Sequence, residues 1–132
     1  MKLIAAGIII KENQILVCQR KQNSYYGLKW EFPGGKVEEN ESIEECLFRE
    51  LKEELNIEIT VDSHFYTERH KYPDGFEFEI HFFIIKKFSG IMLNKVFEKI
   101  EWSFLRDLDK YDFLEADKAI IEKLINCKMM VI

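Results

Sequence analysis

The chain has 132 residues, 47% of them apolar and 14% aromatic, which suffices for one domain with a buried core. A formal charge of -5 with scattered lysines excludes the basic face or stripe of a nucleic-acid-binding surface, and leaves a small anionic ligand held through a metal ion as a compatible partner. Cys18, Cys46 and Cys127 are widely spaced and form no CxxC pair, which excludes a disulfide framework or zinc ribbon and suits reduced thiols in a cytoplasmic protein.

Met1-Lys2 and the apolar run Leu3 to Ile10 imitate a signal peptide, but the run stops at Lys11-Glu12 without a cleavage region, so it reads as a buried first strand with no membrane role. Asn13 turns the chain into a second strand, Gln14 to Gln19, and Arg20 to Lys29 is a polar, tyrosine-containing loop. Glu31-Phe32-Pro33-Gly34-Gly35-Lys36 then reads as a strand end, a tight glycine turn and a basic residue. Ser42 and Glu45 have capping-box spacing, and Ile43, Leu47, Leu51 and Leu55 recur every four positions behind them. This predicts a helix over about 43–55, ended by Asn56 in the left-handed conformation.

Farther on, Ile57 to Arg69 and Phe76 to Lys87 flank the turn signal Tyr72-Pro73-Asp74-Gly75 and read as a long hairpin, with Phe76, Phe78, Ile80 and Phe82 on one face. A strand is expected around Lys99 to Phe104, a helical turn near Leu105 to Leu108, and a last helix over Ala116 to Ile125. Strands and helices that do not alternate imply a single α+β domain, residues 1–132, with a mixed or antiparallel sheet.

The chemistry concentrates on the first helix. At about 100° per residue, Glu50, Glu53 and Glu54 share an arc of roughly 100° beside the leucine stripe. Like charges at this spacing destabilise a helix by about 0.2 to 0.5 kcal/mol a pair, a sign that bound Mg²⁺ or Mn²⁺ reverses. Magnesium takes hard oxygen ligands, keeps several waters and shares its shell with substrate phosphates. The fragment ELKEEL alone reads more readily as a solvated acidic face; the upstream glycines, with Lys36 and their backbone carbonyls beside the helix, favour the metal site.

Gly35, Glu41, Arg49, Glu50, Leu51, Glu53, Glu54, Asn56 and Ile57 stand at the spacing of the Nudix box, with Asn56 replacing its last glycine, and the chain resembles the Nudix hydrolases. That resemblance implies an α/β/α sandwich and metal-dependent hydrolysis of a nucleoside diphosphate linked to another group. It implies metal ligands at Glu50, Glu53, Glu54 and the Gly34 carbonyl, with Arg49 as orienter and Glu41 in the same network. Phosphoryl chemistry of this kind needs positioned water and neutralised charge rather than a protein nucleophile, so His64, His70 and His81 receive no catalytic role. In the MutT-like branch a later glutamate, before a strand bearing a tryptophan, completes the site; the matching position here is Val96, and Glu98 is the nearest substitute as general base.

The words Ala6-Gly7-Ile8-Ile9, Cys18-Gln19-Arg20, Trp30 to Lys36 and Glu115-Ala116-Asp117 bring the likeness closest to the MutT-like nucleoside triphosphate pyrophosphohydrolases, which release a nucleoside monophosphate and pyrophosphate. By the same likeness Arg20, Phe32 and Asp117 surround the base, and Lys36, beside the helix, is a further substrate-binding candidate. An ionised Asp117 only accepts hydrogen bonds, which suits the amine of cytosine and sets CTP or dCTP slightly ahead of 8-oxo-dGTP; Asp117 as a plain helix cap is the structural alternative. A non-catalytic nucleotide-binding module is the rival of another class, disfavoured by the intact glutamates. A monomer and a homodimer are equally compatible.

Overall fold

The computed structural model describes residues 1–127; residues 128–132, which the one-domain expectation includes, lie outside the described residues. The first apolar run forms β1 (Lys2–Lys11), which sends Ala5 and Ile9 into one core and Ala6 and Ile8 into another. A strand covered on both faces needs apolar residues at successive positions, which is why this run does not alternate. Glu12 and Asn13 both take positive φ, 52° and 64°, and turn the chain into β2 (Gln14–Gln19).

After the loop, β3 (Trp30–Glu31) pairs with β2, and the chain crosses to lie against β1 as β4 (Gly34–Lys36). The glycine pair is therefore strand rather than the tight turn expected. Gly34 faces Ala6 and Gly35 faces Ala5, while the bend falls at Pro33, whose carbonyl accepts the Gly7 N–H at 2.8 Å. Close approach requires glycine here: a Cβ on Gly34 would stand 1.9 Å from the Ala5 carbonyl oxygen.

Helix α1 (Ile43–Leu55) has the expected bounds. Ser42 Oγ accepts the Glu45 N–H at 3.0 Å, Glu45 Oε1 accepts the Ser42 N–H at 2.8 Å, and Asn56 ends the helix at φ 61°. Its buried stripe of Cys46, Leu47, Leu51 and Leu55 packs with Ala5, Ile9 and Leu16.

The expected first hairpin arm divides into β5 (Glu58–Thr60) and β6 (Ser63–Lys71), and the second continues past β7 (Glu77–Ile85) into β8 (Lys87–Ser89). β6 pairs with β7, whereas β5 pairs with β8 in a separate small sheet. The division follows from burial: Ile57 and Ile59 join the core of Leu55 at the end of α1, which draws this segment off the large sheet. Gly75 N–H donates to the Tyr72 carbonyl at 2.9 Å in the expected turn. Phe78, Ile80 and Phe82 are buried, but Phe76 precedes β7 and is 42% exposed.

β9 (Lys99–Phe104) pairs with β2 and leads into a 3₁₀ helix, Leu105–Lys110, two residues longer than expected. The last helix opens as a 3₁₀ turn, Glu115–Asp117, and continues as α2 (Lys118–Ile125). β1 runs parallel to β7 and antiparallel to β2 and β4, so the seven-stranded sheet is mixed. One face carries α1, the other the 3₁₀ helices and α2 through Leu108, Ile120 and Leu124, giving an α/β/α sandwich. No helix among the described residues is long and apolar enough to cross a membrane.

Replacing Ser42 by Ala leaves the Glu45 N–H without its side-chain acceptor. The expected cost is about 1 kcal/mol, read as a lower urea midpoint at unchanged slope; an unshifted midpoint would show that the cap contributes nothing.

Candidate active site

A cavity of about 600 Å³ lies between β1, β4, the β6–β7 hairpin and the segment entering α2. Gly34, Gly35, Lys36 and Glu54 line it, as do Arg20, Glu31, Phe32 and Asp117, with Tyr26, Tyr72 and Phe76 among its aromatic residues. The glycines of β4 let α1 come down onto the sheet. Gly34 N–H donates to Glu54 Oε1 at 3.2 Å, and a Cβ on Gly35 would lie 2.3 Å from Glu50 Cδ, so the Glu50 carboxylate rests where only glycine leaves room.

Arg49 is the organiser of the helix face. Its Nε and Nη2 donate to both Glu41 oxygens at 2.7 and 3.0 Å, Nη1 donates to Glu50 Oε1 at 2.8 Å, and Nη2 reaches the Lys36 carbonyl at 3.2 Å. Glu53 stands off at 3.6 Å with its side chain 60% exposed. The guanidinium, helped by the Glu38 N–H, holds the Glu41 carboxyl down to about 2, so Glu41 is ionised throughout the neutral range.

Glu54 is in the opposite situation. Burial, then the charges of Glu50 and Glu31, push its carboxyl up to about 9 against a single backbone N–H. A carboxyl that resists ionisation for want of a counter-charge, beside Glu50 and Gly34, is a hard-oxygen donor set suited to Mg²⁺ or Mn²⁺. Among the described residues no three Asp, Glu, His or Cys side chains converge into a metal cage, because Glu53 turns outward and Arg49 holds Glu50. An ion that keeps waters and shares phosphate oxygens needs no such cage.

The other acids sit deeper. Arg20 Nη1 donates to Glu31 at 3.1 and 3.2 Å and its Nε donates to the Tyr25 carbonyl at 2.7 Å. Burial raises the Glu31 carboxyl despite this partner. Asp117 is 5% exposed and makes no capping bond to α2, so it is not the plain helix cap that the sequence also allowed. Burial, reinforced by the Glu31 charge, holds its carboxyl well above the aspartate range and favours the neutral form.

Glu98 does not line the cavity; its Oε1 accepts the Gln22 N–H at 3.3 Å. The exposed Val96 lies in the same segment, which is tied to the end of α1 by Lys95 N–H on the Glu54 carbonyl at 3.0 Å. Two of the thiols are held in the unreactive protonated form: burial pushes Cys46 up to about 12 and Cys18 well above an ordinary thiol. His64 and His81 lie together on β6 and β7 and His70 packs on Tyr72, none lining the cavity.

Three lining residues escaped the sequence reading. Glu31 stood in the word that suggested Phe32 and Lys36, yet only its burial between Arg20 and the cavity reveals it. Tyr72 was legible solely as a turn residue, and Tyr26, at φ 56°, stacks on it with ring centroids 6.2 Å apart across a long sequence separation.

Comparison with known proteins bears on the family and the fold. The NUDIX domain family model matches residues 1–124. The 8-oxo-dGTP diphosphatase of Buchnera aphidicola (subsp. Schizaphis graminum) is 36% identical over 121 residues, 92% of this chain and 91% of that protein. The CTP pyrophosphohydrolase of Escherichia coli is 33% identical over 124 residues, again 92% and 91%. The solution structure of the E. coli ORF135 protein superposes with a TM-score of 0.84 at 32% identity, covering 92% of this chain and 86% of that one.

The raised carboxyl of Glu54 predicts how stability depends on pH. Because its folded value, about 9, exceeds the ordinary 4.5, its contribution is present below about pH 4.5 and is lost as pH rises through about 9. Without metal at pH 8, Glu54→Gln is expected to be more stable than the parent chain, by on the order of 2 kcal/mol. Millimolar Mg²⁺ should stabilise the parent and leave the variant unchanged in thermal denaturation; equal Mg²⁺ shifts would remove Glu54 from the metal site.

Proposed function

The chain belongs to the Nudix family and is a Nudix hydrolase, and we propose that it is a Mg²⁺-dependent pyrophosphohydrolase of nucleoside triphosphates, releasing the monophosphate and pyrophosphate, with 8-oxo-dGTP its preferred substrate. The observation that carries the reading is one cavity with the Glu54 carboxyl of the box helix on one wall, Glu50 resting behind its Gly35, and a buried Asp117 on another. Glu50, Glu53, Glu54 and the Gly34 carbonyl are the proposed metal ligands. Those groups would hold a divalent ion, whose charge would offset that of the phosphates.

The protein's own groups divide the remaining work. Lys36 lines the cavity beside Gly35 and supplies a cation for the polyphosphate. Arg49 fixes the direction of Glu50, which makes Glu50 better placed than Glu98 to take a proton from the attacking water. Glu41 anchors the other side of the guanidinium. Phe32 offers a buried aromatic wall to the base, and the pair of Arg20 and Glu31 stands beside it.

Asp117 faces the base, and its protonation state bears on which bases it can hold. An ionised carboxylate would favour cytosine, but the neutral form that burial favours both donates and accepts, as the O6 and N7–H edge of 8-oxoguanine requires. The relative named 8-oxo-dGTP diphosphatase, at 36% identity, supports this order. Cytidine nucleotides are the second reading, because a neutral carboxyl also matches the N3 and N4 edge of cytosine and the CTP pyrophosphohydrolase is 33% identical. A small nucleotide as partner and the cytoplasm as location are the settings that fit this activity.

The test is a Mg²⁺-dependent assay over the common ribo- and deoxyribonucleoside triphosphates, 5-methyl-dCTP and 8-oxo-dGTP, with products separated by ion exchange. Monophosphate plus pyrophosphate, fastest from 8-oxo-dGTP, is expected, and Glu53→Gln with Glu54→Gln should abolish it. Asp117→Ala should lower kcat/KM by about 10- to 100-fold, whereas Asp117→Asn keeps most of the rate. A double variant of undiminished rate would refute the metal ligands, and faster CTP turnover would reverse the order of bases.

A further inference from the structure

Outside the cavity, the β6–β7 hairpin carries a cluster that the nucleotide chemistry does not use. His64 Nε2 lies 3.1 Å from His81 Nδ1, and Thr67 Oγ1 stands 2.9 Å from the first and 3.3 Å from the second. Three donor atoms therefore form a small triangle. A register shift between His64 and Tyr66 produces it, since strict alternation would set His64 and Thr67 on opposite faces of β6.

The protonation pattern is set from behind. His81 Nε2 lies 2.7 Å from Glu79 Oε1, and Glu79 Oε2 accepts from Arg69 Nε at 2.8 Å, so the glutamate is an ionised acceptor and Nε2 carries the proton. In the neutral ring Nδ1 is then the lone-pair nitrogen, turned toward His64 and Thr67. A carboxylate on the outer nitrogen of a histidine is the arrangement that orients imidazole ligands on metal ions.

We propose that His64 Nε2 and His81 Nδ1 form a binding site for a borderline divalent transition metal, Zn²⁺ foremost, with water completing its shell and Thr67 Oγ1 beside it as a hydrogen-bond partner, separate from the acidic site on α1. The spacing supports it: nitrogen ligands about 2.0 to 2.1 Å from a tetrahedral zinc stand roughly 3.3 Å apart, near the 3.1 Å between the two histidine nitrogens. Imidazole selects zinc, copper and nickel over magnesium, so both ion types bind the same chain at different places. Gly35, Ala5, His81 and Thr67 lie in one row across β4, β1, β7 and β6. At about 4.8 Å per strand, His81 is roughly 10 Å from the glycine on which Glu50 rests. A bound ion clips β6, an edge strand, to β7, and these two strands flank the turn that brings Tyr72 to the cavity.

The experiment titrates Zn²⁺ into the full chain in saturating Mg²⁺, following imidazole ¹⁵N signals by NMR and heat by calorimetry. The signals of His64 and His81 should move together while that of His70 stays, with one zinc bound at this site. His64→Asn and His81→Ala should each weaken zinc binding at least tenfold and Glu79→Gln by about 10- to 100-fold, while Glu53→Gln with Glu54→Gln keeps it. Unmoved His64 and His81 signals, or zinc binding that survives the histidine variants and vanishes in the glutamate variant, would overturn the site and leave a hydrogen-bonded histidine pair.

Discussion

The architecture hangs on how closely β4 lies to β1 and α1. With Gly34 against the Ala5 carbonyl and Gly35 beneath the Glu50 carboxylate, two side-chain-free residues set the distance between helix and sheet. A β-carbon at either position would push the helix outward or the strand off its partner. The Gly34 N–H would lose Glu54, and the Lys36 carbonyl would lose Arg49. The leucine stripe of α1 also depends on that separation, because its residues pack directly on Ala5 and Ile9.

Charge is distributed along the cavity with a consistent logic. Each of two arginines satisfies particular acids: Arg49 takes Glu41 and Glu50, and Arg20 takes Glu31. Glu54 and Asp117 are left without a cationic side chain at ion-pair distance among the described residues, and both are pushed toward the neutral form by burial and by neighbouring carboxylates. One stands beside the proposed metal ligands and the other among the proposed base contacts. Glu31 bears on both, since its charge raises each of them, so the two ends of the cavity are electrostatically linked.

The sequence revealed local features best. The bounds of α1, its capping box and the left-handed Asn56 follow from contacts within one or two turns, β2 from a short apolar run between polar residues, and β9 from alternation. What escaped depends on partners distant in the chain. The glycines looked like a turn because nothing nearby shows that β1 lies beside them, and β5 separated from β6 because Ile57 and Ile59 answer to the core under α1. For the site, the carboxylates were legible from their spacing, but not that Glu53 faces outward or that Glu98 is engaged with Gln22. Asp117 was legible as a base reader only through family likeness; its burial, which changes the hydrogen bonds it offers, comes from tertiary packing.

The central claim is that the buried carboxyl of Glu54, against Gly34 and Glu50, exists to hold a divalent cation for polyphosphate cleavage. Its most direct test is Mn²⁺ binding measured by electron paramagnetic resonance on the parent chain, Glu54→Gln and Glu98→Gln. The account predicts that Glu54→Gln weakens Mn²⁺ binding at least tenfold while Glu98→Gln leaves it unchanged. Equal Mn²⁺ affinity in the parent chain and Glu54→Gln would contradict it.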